Sequence, residues 1–476
     1  MKNKNAMFRL AAATILGGML AAPAANAAAT IVIVNGDPAG FGFNDPTAVA
    51  PVGGNPGTTL GQQRLNAFQA AANKWGATLT ATPTIRILAT FEALTCTATS
   101  AVLGSAGATE IFRDFPGAPL AGHWYPKALT AKIFGADPDP ATADIRARFN
   151  INLGQAGCLT GVFFYLGLDN NHGANVDLVT VLTHEFGHGL GFQTFTNGST
   201  GAVLAGFPSI WDHYLYDESV ALHWDEMTAP QRAASSLNTG RLVWTGALVN
   251  GQAPGVLTYG VPALRVSGPA AGAATGQYAV GTASFGAALN TTGVSGDIMP
   301  LSTATSGADG CNPFSALDAL AANHNVVIIS RGTCGFAVKA KNAQNAGATG
   351  VIIHNNAAGG PAPGLGGTDP TVTIPTVSVT LADGNTIRSS LNKRSRNKSG
   401  VTGLILLDGS QLAGASPAGN VQMYAPNPFQ GGSSVSHYDV VAFPNLLMEP
   451  AINGDLTHEV TPPNDLTFPL LQDIGW

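Results

Sequence analysis

Residues 177–192 read DLVTVLTHEFGHGLGF, and this stretch predicts a buried helix. Apolar side chains recur in it at the spacing of one helical face, which would pack against a core. They are Leu178, Val181, Leu182 and Phe186. Asn175 or Asp177 can cap the start of the helix. Gly191 stands where the helix should end, because glycine tolerates left-handed backbone.

The same helix carries a pattern of zinc chemistry. His184 and His188 lie four residues apart, so their imidazoles project from one helix face, one turn apart. Two such imidazoles can bind one zinc ion at about 2.0–2.1 Å each. Glu185 can reach a water on that metal without ligating the ion. A surface helix with two solvated histidines is disfavoured by the apolar stripe, and a buried one without metal would leave costly polar groups unsatisfied.

The pattern therefore predicts a catalytic zinc ion, with water as the nucleophile and Glu185 as the general base. Zinc in peptidases usually takes three protein ligands and leaves a fourth position for water. One ligand must therefore come from outside the helix.

The first 27 residues are typical of a Sec-type signal peptide. Lys2, Lys4 and Arg9 give a positive start, an apolar run follows, and Ala25-Asn26-Ala27 fits the small-residue cleavage rule. No later segment approaches the roughly 18 apolar residues that a membrane span needs. We therefore expect a soluble, secreted protein of bacterial origin with no membrane span.

Four cysteines occur in the chain, and an even number in an oxidising compartment favours two disulfides. Sequence permits three pairings, and the spacing favours Cys96–Cys158 and Cys311–Cys334. A zinc site built from cysteine is not expected, since no CxxC pair is present.

The length of 476 residues suggests two or three domains. Residues 28–247 contain strands, a helix and the zinc motif, and predict the N-terminal part of a catalytic domain. Residues 248–408 have a different sequence pattern. An apolar strand (VVIISRGTCGF), an alanine-rich helix and a second apolar strand (VIIHNN) predict a β-α-β unit with its own core. Lys339 and Lys341 are expected on the solvated face of that helix. Residues 409–476 would complete the catalytic domain, giving an α+β fold class with an inserted domain.

The motifs resemble those of the metzincin clan of zinc endopeptidases, in particular the leishmanolysin-like family. HEFGHGLGF supplies the HExxHxxG part, while SVSHYD and NLLMEP supply a later histidine and a methionine turn. The inserted segment SRGTCGFAVKAKNAQNAGATGVIIHN resembles a protease-associated (PA) domain. The resemblance implies a zincin-like catalytic domain, a mixed sheet plus an active-site helix, interrupted by a β-rich α/β PA domain that binds substrate or a partner protein.

The third ligand departs from the short metzincin pattern, which expects a ligand at the position of Thr194. The leishmanolysin-like resemblance implies His437 instead, with Met448 packed beneath the metal and not bound to it. A competing source is the segment 212–218, which offers the carboxylates and the imidazole of a predicted helix: Asp212, His213, Asp217 and Glu218.

The predicted function is that of a secreted zinc endopeptidase that acts on polypeptides. Residues 161–169 predict a strand, and this strand could bind the substrate backbone in extended form near Phe164 and Tyr165. An alternative is a secreted binding protein or adhesin with a vestigial zinc site, although the intact Glu185 argues against it. A serine peptidase is disfavoured because no Asp, His and Ser elements of the subtilisin type are recognisable. A nucleic-acid partner is not expected, since the net charge is −6 and basic residues are not clustered.

Two further features are expected to have structural roles only. The loop 169–173, DNNHG, offers oxygen atoms for a structural calcium ion, but an ordinary turn is favoured. The remaining histidines have no partner at ligand spacing and are expected to be surface or core polar residues: His123, His172, His223, His324, His354 and His458.

Overall fold

The computed structural model describes residues 28–302, 309–393 and 395–476. The predicted signal peptide, 1–27, lies outside the described residues. In the first part of the described chain the strands are β1 (Ile31–Asn35), β2 (Ile85–Glu92), β3 (Cys96–Thr97), β4 (Ser100–Ala101), β5 (Gly104–Ala108), β6 (Ile111–Phe112), β7 (Tyr125–Pro126), β8 (Ile145–Asn150), β9 (Phe164–Tyr165), β10 (Val176–Asp177), β11 (Leu215–Asp217), β12 (Leu222–His223) and β13 (Leu242–Trp244). The helices are α1 (Leu60–Thr78), α2 (Lys127–Phe134), α3 (Leu178–Leu190), α4 (Ile210–Tyr214), α5 (Ala229–Ser235) and α6 (Ala247–Gln252).

A four-stranded sheet in the order β1-β2-β8-β5 supports the site. β1, β2 and β8 are parallel, and β5 joins β8 antiparallel at the edge. β2 alternates between buried and half-buried positions, as a strand with one covered face should. The sheet is therefore mixed, as predicted, and its antiparallel strand lies at one border.

α1 packs against α3 because its apolar residues recur at helical spacing. Thr59 caps α1 by accepting a hydrogen bond from the Gln62 backbone. Phe68 lies at the centre of an aromatic cluster that joins α1, α3 and the sheet, and its partners are Phe43, Phe91, Phe149 and Phe186. Trp75 is fully buried, and its indole N–H donates to the Thr183 carbonyl at 3.0 Å. These contacts hold α3 against the sheet.

The next elements form a second unit. They are the strands β14 (Tyr259–Ser267), β15 (Gly276–Ala279), β16 (Gly281–Thr282), β17 (Val294–Pro300), β18 (Val326–Ser330), β19 (Gly350–His354), β20 (Thr376–Val379) and β21 (Thr402–Leu412), with the helices α7 (Ala316–Ala322), α8 (Phe336–Asn345) and α9 (Leu381–Ser390). Among the described residues the strands form an eight-stranded sheet in the order β15-β14-β21-β17-β18-β19-β20-β16. The predicted β-α-β unit is β18-α8-β19, with parallel strands.

The hydrophobic cores follow this division. One large core draws buried residues from 29–257 and from 412–476. Two smaller clusters lie within the second unit. β21 ends at Leu412, and with this residue the chain returns to the first core. After β21 the fully described stretch 413–476 contains α10 (Thr467–Asp473) as its regular element.

Both predicted disulfides are present. Cys96–Cys158 joins β3 to the loop after β8, and Cys311–Cys334 closes a loop in the second unit. Among the described residues, no helix has both the length and the apolar character needed to cross a membrane.

The strand predicted over 161–169 is much shorter in the structure. β9 covers only Phe164–Tyr165 and pairs with β10, outside the four-stranded sheet. Gly161 has a positive φ of 84°, which extended backbone does not allow. The Tyr165 hydroxyl donates to the Asp169 carboxylate at 2.7 Å, which bends the chain back. This segment is therefore not an edge of the main sheet.

Candidate metal centre

The helix α3 forms as the sequence predicts. Asp177 caps it by accepting a hydrogen bond from the Thr180 backbone at 2.7 Å, and every residue of α3 is buried. Gly191 follows at φ 129°, and its N–H donates to the carbonyls of Gly187 and His188. A β-carbon at Gly191 would lie 2.9 Å from Ile474, so this position requires glycine for both backbone and space.

Three histidines converge at the C-terminal end of α3. His184 Nε2 and His188 Nε2 lie 3.1 Å apart, and His188 Nε2 lies 3.2 Å from His437 Nε2. Together they form one of two groups in the described residues with ligand atoms close enough to hold a metal ion. All three side chains are buried. The structure therefore brings the distant His437 to the two histidines of the helix.

The outer nitrogen of each ring faces a backbone carbonyl. His184 Nδ1 donates to Leu447, His188 Nδ1 to Phe192 and His437 Nδ1 to Ser433, at 2.7, 2.7 and 2.8 Å. In a neutral imidazole the proton then lies on Nδ1, and the Nε2 lone pair is free. These carbonyls orient the rings as the outer partners of metal-bound histidines do.

The Nε2 lone pair of His188 faces those of His184 and His437 at 3.1 and 3.2 Å, an arrangement that is repulsive unless a cation lies among them. Protons do not resolve the conflict, because burial lowers the pKa of His184 to about 4, that of His188 to about 3 and that of His437 well below its usual value. Nitrogen ligands about 2.0–2.1 Å from one ion would have separations of this size. The residues therefore fit a zinc ion.

Met448 lies under the helix at this point. A β-carbon added to Gly187, which stands between the two helical histidines, would lie 3.0 Å from the Met448 sulfur. Met448 is fully buried, and its carbonyl accepts a hydrogen bond from the Tyr438 backbone at 2.9 Å. The methionine thus packs beneath the histidine cluster and is tied to the residue that follows His437.

Glu185 lies between α3 and the edge strand β5. Its side chain is buried, and this burial raises the pKa of the carboxyl to about 8, while a hydrogen bond with the Ala106 backbone acts in the opposite direction. Glu185 is not part of the three-histidine group. Glu185 directly follows His184 in the chain, and its carboxyl reaches the backbone of β5.

The competing segment 212–218 is used elsewhere. Asp212 accepts hydrogen bonds from the hydroxyls of Thr194 and Thr196, both at 2.6 Å, and from the Ser209 backbone. The remaining members also have other partners: His213 binds Asp225, Asp217 binds Ser219 and Asn238, and Glu218 binds Ser416. Thr194 thus serves as a hydrogen-bond donor at the position where a short metzincin has a ligand.

The loop considered for calcium has the contacts of a turn. Asp169 accepts hydrogen bonds from Tyr165 and from the Asn171 backbone at 3.1 Å, and Asn170 donates to the Leu456 carbonyl. These contacts favour the turn, and calcium at 169–173 stays without support.

Two features were missed from the sequence. The edge strand beside Glu185 is β5, whose residues GSAGA lack the β-branched signal of a strand. The second is the group with metal-ligand spacing that combines His213, named from the sequence only as a competing ligand of the first site, with His123 and Asp225. Neither carries a local pattern, so only the fold reveals them.

Comparison with known proteins identifies one part of the chain. The PA domain family model matches residues 294–387, inside the second unit, so the chain contains a PA domain. No curated protein matches the chain.

Solved structures similar to this chain include a zinc aminopeptidase from Bacillus subtilis, BSAP, with 23% identity over 34% of this chain and 36% of that chain, at a TM-score of 0.22. An aminopeptidase from Aneurinibacillus sp. strain AM-1 has 16% identity over 42% of each chain, at 0.23. The subtilisin-like protease Apa1 from the Antarctic psychrotroph Pseudoalteromonas sp. AS-11 has 17% identity over 32% of this chain and 34% of that chain, also at 0.23.

The chain thus spans well under half the length of these structures. Similarities with TM-scores and identities this low support no conclusion about activity. The metzincin and leishmanolysin-like resemblance stays a prediction that rests on the zinc motif.

Proposed function

We propose that the protein is a zinc-dependent endopeptidase of the metzincin type, with His184, His188 and His437 as zinc ligands. The observation that carries the proposal is the meeting of three buried Nε2 lone pairs whose Nδ1 atoms are all occupied by carbonyls. Such a cluster is stable with a cation and strained without one. The methionine beneath Gly187 supports the same class.

Zinc bound there supplies a Lewis acid that polarises the scissile carbonyl and acidifies a water molecule. A carboxylate oxygen of Glu185 takes a proton from the attacking water and then delivers a proton to the leaving amine. Burial alone raises the pKa of Glu185, and the positive charge of a bound zinc ion would lower it, which favours the carboxylate that this step requires.

The substrate backbone would add to the outer edge of β5. This strand ends the four-stranded sheet, and β8 occupies only one of its sides. Extended peptides bind to such edges through main-chain hydrogen bonds. Ala106, the middle residue of β5, is next to Glu185, so a peptide paired along the whole strand would present an internal bond to the carboxyl. This placement supports endopeptidase activity.

The test uses unfolded casein and a peptide that is acetylated at its N-terminus and amidated at its C-terminus. We expect the purified protein to cut both at internal bonds, and Glu185→Gln to reduce kcat by about 10²–10⁴-fold at equal zinc content. Glu459→Gln, which alters a surface ion pair with Lys74, is the matched control and should keep full activity. If neither the parent nor the variant has peptidase activity while both contain zinc, the result would favour a binding protein or adhesin.

A further inference from the structure

A second group of ligand atoms lies where three segments meet. His123 comes from the loop before β7, His213 from α4 and Asp225 from the turn after β12. His123 Nε2 lies 3.2 Å from Asp225 Oδ2, and His213 Nδ1 lies 2.8 Å from the same oxygen. We propose that these three residues bind a second zinc ion, separate from the proposed catalytic one.

The hydrogen bonds of His123 point to a cation. Its Nδ1 lies 2.9 Å from the Ala121 carbonyl, which can only accept, so Nδ1 carries the proton. In the neutral ring Nε2 then presents a lone pair to the carboxylate of Asp225. Two acceptors at this distance repel each other unless a proton or a metal ion lies between them. The conflict is the same as in the three-histidine cluster.

Asp225 supplies a second, independent observation. Its Oδ1 atom is buried and has no hydrogen-bond partner among the described residues. A buried carboxylate oxygen without a partner is costly, and a cation removes that cost. Within the part of the chain that the structure describes, Oδ1 of Asp225 therefore lacks a donor, and one of the two contacts to Oδ2 needs an added charge.

The neighbouring charges allow a cation at this place. The Arg232 guanidinium is near, but it donates to the carbonyls of Gly201, Trp224 and Met227 and makes no hydrogen bond to Asp225. His123 has a raised pKa, chiefly through its hydrogen bond with Asp225, against the effect of burial. A proton on His123 is therefore the competing occupant, and the test must separate the two.

Two imidazoles and one carboxylate suit zinc, with water in the fourth position. His213 is 40% exposed, which leaves a path to solvent. His223 stacks on His213 with ring centroids 5.9 Å apart, but its nitrogens face Thr245 and Glu226. It is therefore not a fourth ligand, and it provides a control.

The second ion would fix α4 and, through it, the wall of the first centre. Asp212, next to His213, accepts the Thr194 hydroxyl, and Trp211 donates its indole N–H to the Val435 carbonyl at 3.0 Å, two residues before His437. The cation would thus hold a helix that contacts the chain on both sides of the histidine cluster. Its role is positioning, since none of its ligands touches the proposed catalytic residues.

The experiment counts zinc per chain by elemental analysis after dialysis against a low zinc concentration. We expect two ions in the parent protein and in His223→Asn, and one in His213→Asn and in the isosteric Asp225→Asn. His437→Ala should hold one, and His437→Ala with His213→Asn should hold none. Circular dichroism checks the fold of each variant, and retention of the first ion in Asp225→Asn excludes general unfolding.

Two results would overturn the proposal. The first is a parent that binds one ion at saturation while the His123 ring, followed by NMR, titrates above its usual pKa, because a proton then fills the site. The second is a second ion that persists in both His213→Asn and Asp225→Asn, because its ligands then lie elsewhere. Loss of peptidase activity plays no part in this test, so failure of the proposed function would be seen separately.

Discussion

His184 Nδ1 donates a hydrogen bond of 2.7 Å to the backbone carbonyl of Leu447, a residue 263 positions later in the chain. The Leu447 N–H in turn donates to the buried Asp465 carboxylate at 2.7 Å. A proposed zinc ligand is therefore oriented by the turn that precedes Met448, and that turn is held by a carboxylate close to the last helix.

Replacing Asp465 should weaken zinc binding without removing a ligand. In Asp465→Asn only one oxygen remains to accept the Leu447 and Thr467 N–H groups, so the Leu447 carbonyl loses its fixed position. Outer partners of metal-bound histidines typically contribute about 10–100-fold to metal affinity, and we expect a loss near the lower end. Competition with a chelator measures it, and Asp455→Asn, outside this chain of hydrogen bonds, should leave affinity unchanged.

The third ligand can be assigned by two substitutions. His437→Ala should abolish tight zinc binding at the three-histidine site and so lower the zinc content by one ion per chain, because two imidazoles alone leave that site incomplete. Asp212→Asn should retain stoichiometric zinc, since Asp212 is occupied by Thr194, Thr196 and Ser209. Zinc content after gel filtration distinguishes them. The same zinc content in His437→Ala as in the parent would contradict the assignment, and loss of the ion at the three-histidine site in Asp212→Asn would favour the competing segment.

The part of the site that could be predicted from the sequence is the part encoded over short distances. His184 and His188 share a face because they are four residues apart, and a cap and a glycine bound their helix. His437 lies 249 residues after His188, and no periodicity connects the two. It could be selected only through the resemblance to a family. His123 and Asp225, 102 residues apart, had neither signal: His123 was expected to be an ordinary polar residue, and Asp225 was not singled out.

The prediction for Lys339 was wrong, and the reason is again a distant segment. An alanine-rich helix with spaced lysines is typical of a solvated face, but Lys339 is fully buried. Its amino group donates to the Asp309 carbonyl and lies 3.4 Å from the Cys311 sulfur. The segment at Asp309 and Cys311 thus covers this part of the helix. The sequence of α8 alone does not predict that another segment packs over it.

Gly187 within α3 and Gly191 just after it should resist substitution, whereas Gly251 in α6 should tolerate it. Gly191→Ala would force a side chain into positive φ and against Ile474, and Gly187→Ala would press on the Met448 sulfur. We expect each to lower the free energy of unfolding by about 1–3 kcal/mol. Gly251→Ala in α6 meets open space and should be neutral or stabilising by up to about 1 kcal/mol. Denaturant unfolding of the three variants measures this, and an equal effect at all three positions would contradict the packing described.

The stability of the methionine turn should depend on pH through Glu449. This side chain is 2% exposed, and burial raises its pKa from 4.5 to about 7, against a hydrogen bond from the Leu446 backbone. The folded protein then binds a proton more tightly than the unfolded chain. Its contribution to stability is fully present below pH 4.5 and is lost as the pH rises through about 7.

Glu449→Gln removes this titration while it keeps the shape of the side chain. Between pH 4.5 and 8 the free energy of unfolding of the parent should fall relative to the variant by about 2–3 kcal/mol, the value for a shift of this size. Urea unfolding of both proteins at several pH values measures the difference, which cancels the contributions of all other titrating groups. A difference that is constant across the range, or that grows in favour of the parent, would show that Glu449 is ionised in the folded protein at neutral pH.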